Sequence, residues 1–523
     1  MSLSQWSSIT PLTPSSFLER SGSVFRNRIA IVDGARQITY GEFAERSRQL
    51  ALGLIALGVR PDDRVAVLAT NGHLMLEAHA GIPLSGGVIV PMNYRLTPDE
   101  LVYIVNHSGA RVILASAEFA AVARDVSARC GIRCFVAEGS PDDYESLLQS
   151  AQEASLPERG ELDTLAINYT SGTTGRPKGV VYQHRGAYLQ ALAMGLHLGL
   201  TADSTYLWTL PMFHCDGWCL TWALSATGST QICIPSPDPN EVWRILRERP
   251  VTHFSGAPTV LSMIANAPGA ADGPLEKTVQ VSTGGAAPSP ALLARLAELN
   301  IDVTHLYGLT ESYGPAVVNQ WRSEWDTRSP DERARLKARL GVANVVGGPV
   351  RVVDDDGVDV ESDGATIGEI LLHGNNLFAG YYRNPEATAA ATLDGGFLTG
   401  DLAVMHPDGY VEIRDRKKDI IISGGENISS LEVEQVIDAH PMVLECAVVA
   451  KPDAKWGEVP VAFITLKQFD GELTEHDVID FVRARVAHFK APRQVIFGPL
   501  PKTSTGKIQK RTLRENLRHE GTE

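Results

Sequence analysis

One segment of the chain, YTSGTTGRPKGV at residues 169–180, combines the residue types that bind phosphate. Its glycines let the backbone approach an anion and turn its amides inward, its hydroxyls donate further hydrogen bonds or bind a metal, and its lysine adds a mobile positive charge. Apolar runs precede and follow the segment, as expected of a loop between two strands. The candidate phosphate-binding residues are Thr170, Ser171, Gly172, Thr173, Thr174, Gly175 and Lys178.

Two other interpretations fit the same run of residues. A glycine-rich surface turn is one, because a short motif of this kind also arises by chance. A Walker phosphate loop is the other, but that motif requires glycine directly before its lysine. Here Pro177 precedes Lys178 and cannot donate an amide to a phosphate. The spacing therefore excludes a Walker loop and leaves the surface turn open.

Alternating strand and helix patterns position this loop. From residue 29 the chain reads as a short hairpin (IAIVDG, QITY), an amphipathic helix, the strand RVAVLA, a second helix and the strand GGVIVPM. The next helix is predicted to begin at Thr97 and Pro98, a cap followed by a proline in the first turn, and the strand RVILAS follows Gly109. This alternation runs to about Tyr307 and predicts largely parallel sheets.

Changes in composition divide the rest of the chain. Residues 321–340 are polar and charged, which predicts a surface loop and a solvated helix. Short strand-like runs over residues 347–413 predict a small β-rich subdomain, and the charged run RDRKKD at residues 414–419 predicts an exposed linker. A separate α+β domain is predicted beyond it, because two pairs with capping-box spacing precede helices there. These pairs are Ser429 with Glu432 and Thr474 with Asp477.

Bulk composition limits the possible classes of function. A chain of 523 residues exceeds what one hydrophobic core organises. Its 47 basic and 62 acidic residues give a net charge of −15, which opposes non-specific binding to nucleic acid or to an anionic membrane. No run reaches the ~18 apolar residues of a membrane span. The six cysteines have no CxxC spacing, so they predict reduced thiols in the cytoplasm instead of a zinc site or disulfides.

Seven further motifs occur in order along the chain. Together with the loop they resemble the adenylate-forming superfamily, which contains acyl-CoA synthetases, nonribosomal adenylation domains and firefly luciferase. The resemblance covers nearly the whole chain, and PMFHCDGW with the charged WRSEWD stretch resembles the branch that activates medium-chain, branched or aromatic acids. The motifs are PMFHCDGW (211–218), STGGAAP (282–288), YGLTE (307–311), TGD (399–401), DRKKD (415–419), SGGENIS (423–429) and PKTSTGKI (501–508).

The resemblance implies an α/β fold of two domains. The large N-terminal AMP-binding domain, residues 1–417, would consist of two α/β sheet subdomains and the small β-rich subdomain. Residues 419–523 would form a small mobile α+β domain that carries the catalytic lysine. Lys418 would be the hinge between the two domains.

The resemblance also implies ATP and Mg²⁺ as ligands. The loop residues and Lys178 would hold the phosphates, and Thr174 and Glu311 would bind the metal. Thr310 would lie near the α-phosphate. A solvated surface side chain is the alternative for an isolated glutamate such as Glu311.

The nucleoside has its own implied contacts. Asp401 would accept hydrogen bonds from both ribose hydroxyls, with Arg416 assisting, although a solvated charge is the alternative for Arg416. Tyr307 would cover the adenine, with core packing as its alternative. The adenine would otherwise rest on the backbone of Gly284, Gly285 and Ala286.

The acyl tail is implied to lie among His214, Trp218, Gly308 and Gly314, with Gly308 also next to the nucleotide. Plain packing is the alternative for His214 and Trp218. The pocket is expected to be apolar, because the motifs offer no fixed counter-charge to a second charged group, with Asp216 as the exception.

Two C-terminal motifs are implied to act in turn. Lys507 would stabilise the negative charge that accumulates when a carboxylate attacks the α-phosphate; a flexible lysine in a basic tail is its alternative. The domain would then swivel at Lys418 and present Ser423, Gly424 and Gly425 as a channel for the thiol of coenzyme A.

The implied activity is ATP-dependent conversion of a carboxylic acid to acyl-AMP, followed by thioester formation with coenzyme A as co-substrate. Three alternatives remain at this point: transfer to the phosphopantetheine of a carrier protein, a silent nucleotide-binding regulator, and a luciferase-type oxygenase. The predicted partners are the acid, ATP and CoA, without nucleic acid. The protein is predicted to be a monomer or a homodimer.

Overall fold

The computed structural model describes residues 10–139, 142–151, 153–170, 176–453, 455–467, 473–503 and 507–520. The helices are α1 Ser15–Val24, α2 Tyr40–Ala56, α3 His73–Leu84, α4 Pro98–Ser108, α5 Ala120–Cys130, α6 Asp143–Gln149, α7 His184–His197, α8 Cys215–Trp218, α9 Leu220–Thr227, α10 Pro239–Glu248, α11 Pro258–Ala265, α12 Pro290–Glu298, α13 Pro330–Ala338, α14 Pro385–Ala390, α15 Ser430–Asp438, α16 Glu475–Arg483 and α17 Lys510–Glu520.

The strands are β1 Ile29–Asp33, β2 Arg36–Thr39, β3 Arg64–Leu68, β4 Val88–Pro91, β5 Ala110–Ser116, β6 Arg133–Ala137, β7 Thr164–Thr170, β8 Lys178–Gln183, β9 Thr205–Trp208, β10 Thr230–Cys233, β11 His253–Gly256, β12 Val279–Thr283, β13 Ile301–Leu309, β14 Gly314–Val318, β15 Val342–Ala343, β16 Arg351–Val353, β17 Ile367–Leu372, β18 Thr392–Leu393, β19 Gly396–Met405, β20 Val411–Arg416, β21 Ile421–Ser423, β22 Glu426–Ile428, β23 Val443–Asp453, β24 Gly457–Leu466 and β25 Gln494–Phe497.

Two α/β sheets form the larger part of the chain. The first has the strand order β15-β14-β13-β12-β11-β9-β10-β1-β2, and the second has the order β6-β5-β3-β4-β7-β8. The interior strands pair in parallel, whereas β2, β14, β15 and β8 pair antiparallel at or near the ends. Strands such as β4 are buried along their whole length, as in sheets covered by helices on both faces. The predicted α/β alternation is confirmed.

Helix α4 begins where its sequence signals predict. Thr97 caps it and forms a complete capping box with Glu100, Pro98 occupies the first turn, and Gly109 ends it in the left-handed conformation at φ 68°. A proline is tolerated there because its missing amide would have no partner in the first turn. This helix carries side chains to the edge of the phosphate-binding loop.

The predicted β-rich subdomain is also confirmed. Strands β16, β17, β19 and β18 form one antiparallel sheet, with β20 paired to β19. The polar stretch before it contains helix α13, which starts with a capping box at Ser329. Trp325 of that stretch is buried against Tyr410, so the stretch is attached to the subdomain by an aromatic contact that its charged composition conceals.

A separate sheet follows, in the order β22-β21-β24-β23 with β25 paired to β24, and it packs against α15, α16 and α17. Thr474 and Asp477 form the predicted capping box. Ser429 caps α15, but the Glu432 carboxylate pairs with Lys490 at 2.7 Å, so this box is only half formed.

The prediction of an exposed linker at residues 414–419 was wrong for its two aspartates, although Lys417 and Lys418 are exposed. Arg416 and the two residues before it belong to β20, and Asp415 and Asp419 are only 4% and 6% exposed. Buried carboxylates need partners. Asp415 Oδ2 accepts hydrogen bonds from the amide (2.5 Å) and hydroxyl (2.8 Å) of Ser430, and Asp419 pairs with Arg514. The composition of this run predicts exposure, because the residues that pair with its aspartates, Ser430 and Arg514, lie outside it in the sequence.

None of the helices in the described residues is long and apolar enough to cross a membrane. All six cysteines have free thiols, as the absence of paired spacing predicts.

Candidate active site

The phosphate-binding loop lies between two antiparallel strands. Strands β7 and β8 pair so that Thr170 stands opposite Lys178, which brings the two ends of the loop together. The predicted loop residues Ser171, Gly172, Thr173, Thr174 and Gly175 lie outside the described residues. The hairpin geometry therefore concerns the two flanking residues only.

Glu311 sits in a single 3₁₀ turn that follows β13. Its carboxylate accepts a hydrogen bond of 2.7 Å from the hydroxyl of Tyr381, and the ammonium of Lys178 lies 4.9 Å from the centre of the same tyrosine ring. Burial raises the pKa of Glu311, while the Tyr381 hydrogen bond and the charge of Lys178 oppose that rise. The arrangement places one buried carboxylate beside one lysine at the end of the loop.

Thr310 precedes Glu311 and is held from two sides. The hydroxyl of Tyr182 donates a hydrogen bond of 2.7 Å to its carbonyl oxygen, and its own hydroxyl lies 3.3 Å from the thiol of Cys215. Strand β8 and the PMFHCDGW motif thus both contact the YGLTE turn. Three of the predicted site motifs, the phosphate-binding loop, PMFHCDGW and YGLTE, thus meet at this point of the fold.

Asp401 is fixed by two groups from distant elements. The Tyr307 hydroxyl donates a 2.7 Å hydrogen bond to Oδ2, and the Arg416 guanidinium lies 3.2 Å from Oδ1. Tyr307 is thus buried with its hydroxyl engaged instead of serving only as core packing, and Arg416 is paired instead of merely solvated. Gly285 and Ala286, beyond the carboxyl end of β12, are exposed. Ligands of open α/β sheets bind at such strand ends.

Lys507 comes to this site from the far end of the chain. Burial lowers the pKa of Lys507 to about 7, the positive charges of Arg416 and Lys418 add to this, and the charge of Asp401 opposes it. Burial also lowers the pKa of His214 to about 4, with a further contribution from Lys507. The lysine therefore lies within electrostatic range of both the TGD motif and the PMFHCDGW motif.

The candidate acyl pocket is built around Trp218. A methyl group added at Gly314 would lie 3.1 Å from Trp218 Cα, and one added at Gly284 would lie 3.3 Å from its ring. Gly308 is needed because its backbone packs against the carbonyl of Gly314, where a Cβ would lie only 1.9 Å away. Gly284 and Gly314 thus leave room for Trp218, and Gly308 leaves room for the carbonyl of Gly314.

The segment that presents Trp218 has an unusual backbone. Five consecutive residues have φ between 43° and 60°: Cys215, Asp216, Gly217, Trp218 and Cys219. Each non-glycine residue in this region costs roughly 1–2 kcal/mol, so the surrounding packing must enforce the conformation. Asp216 is fully buried, and burial raises its pKa to about 7, so it does not present a solvated charge.

The predicted thiol arm, Ser423, Gly424 and Gly425, is the tip of the β21–β22 hairpin. Gly424 and Gly425 have φ of 62° and 88°, as in the two-residue turns that favour glycine. The amide of Gly424 donates a 2.7 Å hydrogen bond to the carbonyl of Trp456, whose side chain is 40% exposed.

Anchored residues flank Lys418 on both sides. Lys417 pairs with Asp355 at 3.0 Å and with Glu369 at 3.3 Å in the β-rich subdomain, whereas Asp419 pairs with Arg514 in α17. Asp415 also binds Ser430 of α15 across this residue, so a change in the backbone at Lys418 that moves the two bodies apart would have to break those bonds. The domain boundary at this residue remains a prediction.

Two residues that support the site were not predicted from the sequence. Tyr381, which donates to Glu311, lies 70 residues away from it. Trp456 supports the thiol arm from a neighbouring hairpin. Neither residue stands in a motif that the residue types alone single out, so only their spatial neighbours identify them.

Comparison with known proteins identifies relatives over almost the whole chain. The model of the AMP-binding enzyme family matches residues 18–382, and that of the AMP-binding enzyme C-terminal domain matches residues 432–507. An acetate–CoA ligase of Humulus lupulus is 41% identical, covering 98% of this chain and 96% of its own. A peroxisomal acetate/butyrate–CoA ligase of Arabidopsis thaliana is also 41% identical, covering 98% of this chain and 95% of its own.

The fold has solved counterparts as well. The crystal structure of a benzoate CoA ligase from Burkholderia xenovorans LB400 superimposes with a TM-score of 0.85 at 26% identity. It covers 96% of this chain and 99% of its own. The fold is thus similar over almost the whole of both chains.

Proposed function

Because this chain belongs to the family of AMP-binding enzymes and is an AMP-forming acid–thiol ligase, we propose that it forms its acyl-adenylate where Glu311, Asp401 and Lys507 converge. The observation that carries this proposal is the position of Lys507. A residue from the C-terminal part interacts with Asp401 and His214 of the N-terminal part. A flexible basic tail without a role would not place its lysine, partly buried, within electrostatic range of these two residues.

The nucleoside of ATP would bind beside Asp401. Its carboxylate is oriented by Tyr307 and Arg416 and can accept hydrogen bonds from two neighbouring hydroxyls, which suits a ribose diol. The exposed backbone around Gly285 and the face of Tyr307 offer a slot for a flat ring.

The residues present also fit a magnesium ion. Mg²⁺ is usually held by one or two carboxylates together with substrate phosphates. Glu311 supplies a buried carboxylate beside Lys178, and Thr174 is the proposed second protein ligand. The ion would neutralise charge on the ATP phosphates, while Glu311 and Tyr381 provide a fixed binding point.

In the proposed first half-reaction, a carboxylate oxygen of the acid attacks the α-phosphorus of ATP. The bond from that phosphorus to the bridging oxygen breaks, and pyrophosphate leaves with the electron pair. Negative charge accumulates on the attacking and equatorial oxygens. The Lys507 ammonium stabilises this charge more than solvent would, because it is already oriented.

In the proposed second half-reaction, the thiol of CoA attacks the acyl carbon and AMP leaves. We propose that rotation at Lys418 withdraws Lys507 and brings in the arm at Gly424, since its immediate neighbours Lys417 and Asp419 are anchored to different bodies. The Asp415–Ser430 hydrogen bonds would break in this rotation. CoA is the acceptor that the relatives' names support, and the carrier-protein alternative is tested by supplying a loaded carrier in its place. The cytoplasmic location and the state as monomer or homodimer remain predictions.

We propose that the acid is a short- to medium-chain aliphatic acid, straight or branched, because the buried indole of Trp218 takes up space in the candidate pocket. Pyrophosphate release should be measured over a panel of acetate, butyrate, 2-methylpropanoate, octanoate and benzoate. We expect the aliphatic acids to give the highest kcat/KM, and Trp218→Ala to shift the preference toward longer acids by roughly tenfold, which is the selectivity of about one methylene. An unchanged order of substrates in this variant would contradict the assigned role of Trp218.

Adenylation should slow as pH rises through about 7. Because the pKa of Lys507 is lowered to about 7, the charged form that the proposed role needs is present below that pH in the free enzyme and is lost above it. The kcat/KM for pyrophosphate release reports the free enzyme and should fall from about pH 6 to about pH 9. Bound ATP and acid are negatively charged and favour the charged form of Lys507. The decline in kcat should therefore occur at a higher pH than the decline in kcat/KM.

The variant Lys507→Arg tests the origin of this alkaline limb. A guanidinium keeps its charge throughout the range. Whatever rate the variant retains should therefore not decline between about pH 6 and about pH 9. The same decline in both proteins would assign the limb to another group.

A further inference from the structure

A charged cleft lies beside the phosphate-binding loop, and two of its cations, Arg176 and Arg383, have no role in the proposed reaction. It has a volume of about 150 Å³. Helix α4, the start of β8 and the segment before α14 form its walls. We call it the basic cleft; its principal lining residues are Tyr103, His107, Arg176, Lys178, Tyr382 and Arg383.

The basic cleft concentrates positive charge in an acidic protein. The chain has a net charge of −15, yet within the described ranges Arg176, Lys178 and Arg383 form no ion pair with a carboxylate. Burial and the neighbouring charge of Arg383 lower the pKa of His107. Unpaired cations gathered around one concavity attract a small anion.

The walls of the cleft are held in place by specific contacts. The hydroxyl of Tyr103 donates to the carbonyl of Pro177 at 3.3 Å, and Arg383 donates to the carbonyl of His107 at 3.2 Å. The guanidinium of Arg176 lies 5.4 Å from the Tyr103 ring centre. Cations oriented before binding lose less freedom when an anion arrives.

Lys178 connects this cleft to the proposed active site. It lines the cleft, and its ammonium also lies 4.9 Å from the ring of Tyr381, the residue that donates to Glu311. The basic cleft therefore adjoins the proposed phosphate end of the nucleotide site. The cleft adjoins the loop on the side of β8.

We propose that the basic cleft is a subsite for inorganic pyrophosphate, which it receives as this product leaves the active site. Its volume is below the roughly 300–1,000 Å³ of pockets that enclose drug-sized ligands, so it suits a small polyanion and not a whole nucleotide. This inference rests on the proposed function, because adenylation at Glu311 is what releases pyrophosphate there. Arg176 and Arg383 are the residues that it adds to the site.

Titration calorimetry of the full chain with inorganic pyrophosphate tests the subsite. Arg176→Ala and Arg383→Ala should each raise the Kd for pyrophosphate by about tenfold, the loss expected for one charge-assisted hydrogen bond. Arg295→Ala is the matched control, because Arg295 is exposed on α12 and pairs only with the neighbouring Glu298 among described residues. The affinities for AMP and for CoA should stay unchanged in all three variants.

Charge-retaining variants separate a lost contact from a damaged fold. Arg176→Lys and Arg383→Lys should keep pyrophosphate affinity within a few-fold of the original protein, because a lysine also binds phosphate as a point charge. Three results would each overturn the subsite. The lysine variants could lose as much pyrophosphate affinity as the alanine variants, or the alanine variants could bind pyrophosphate with an unchanged Kd. The third is a loss of CoA affinity as large as the loss of pyrophosphate affinity. The titration needs neither acid nor turnover, so it gives an answer even if the acid panel shows the proposed function to be wrong.

Discussion

Replacing Lys507 with alanine is expected to lower the rate of acyl-adenylate formation by at least about a hundredfold, while thioester formation from supplied acyl-AMP stays largely intact. The size of the effect follows from removing one oriented charge at developing negative charge, which typically costs 10²- to 10³-fold. The two half-reactions can be followed separately, by pyrophosphate release for the first and by CoA consumption with synthetic acyl-AMP for the second.

The control for this variant should keep the fold and remove a charge elsewhere in the same part of the chain. Arg511→Ala is suitable, because Arg511 is exposed on α17 and pairs with Glu515 across one helical turn. Exposed pairs of this kind contribute only about 0.3–0.5 kcal/mol. Equal loss of both half-reactions in Lys507→Ala, with Arg511→Ala active, would show that Lys507 has a structural role.

Replacing Gly424 with leucine is expected to produce the opposite pattern. Gly424 has φ 62°, and any Cβ there would lie 2.9 Å from the ring of Trp456. A leucine must strain the turn, displace the indole or both, at a cost of roughly 1–3 kcal/mol. Thioester formation from supplied acyl-AMP should therefore fall by about 10- to 100-fold, whereas pyrophosphate release should change little because Lys507 remains in place.

Gly498→Leu is the matched control for this prediction. Gly498 follows β25 in the same sheet, and nothing lies within 4 Å of a Cβ added there. This variant should retain both half-reactions. Normal CoA-dependent turnover in Gly424→Leu would mean that the thiol does not pass the β21–β22 hairpin.

The failed prediction for residues 414–419 shows what local composition conceals. A run of arginines, lysines and aspartates is usually solvated, yet Asp415 and Asp419 are buried because Ser430 and Arg514 supply their hydrogen bonds. Those partners are 15 and 95 residues away. Composition records whether a residue is charged, but not whether the fold brings a partner to it.

The sequence by itself determined the types of residue available for chemistry and the local elements that carry them. Hydrophobic periodicity and helix caps depend on residues that are neighbours in the sequence. They therefore predicted the hairpin at β1, the start of α4 at Thr97 and the strand–helix alternation of the two large sheets. The ordered motifs likewise identified Lys178, Glu311, Asp401 and Lys507 as candidates.

Only the tertiary structure decided which of these residues meet. Tyr381 reaches Glu311 across 70 positions, Tyr307 reaches Asp401 across 94, and the left-handed turn at Trp218 follows no local preference of its residues. The basic cleft beside Lys178 exists because α4 and the segment at Arg383 pack next to the start of β8. The physical reason is that burial, charge pairing and enforced backbone strain depend on elements brought together from distant parts of the chain, which short-range patterns do not encode.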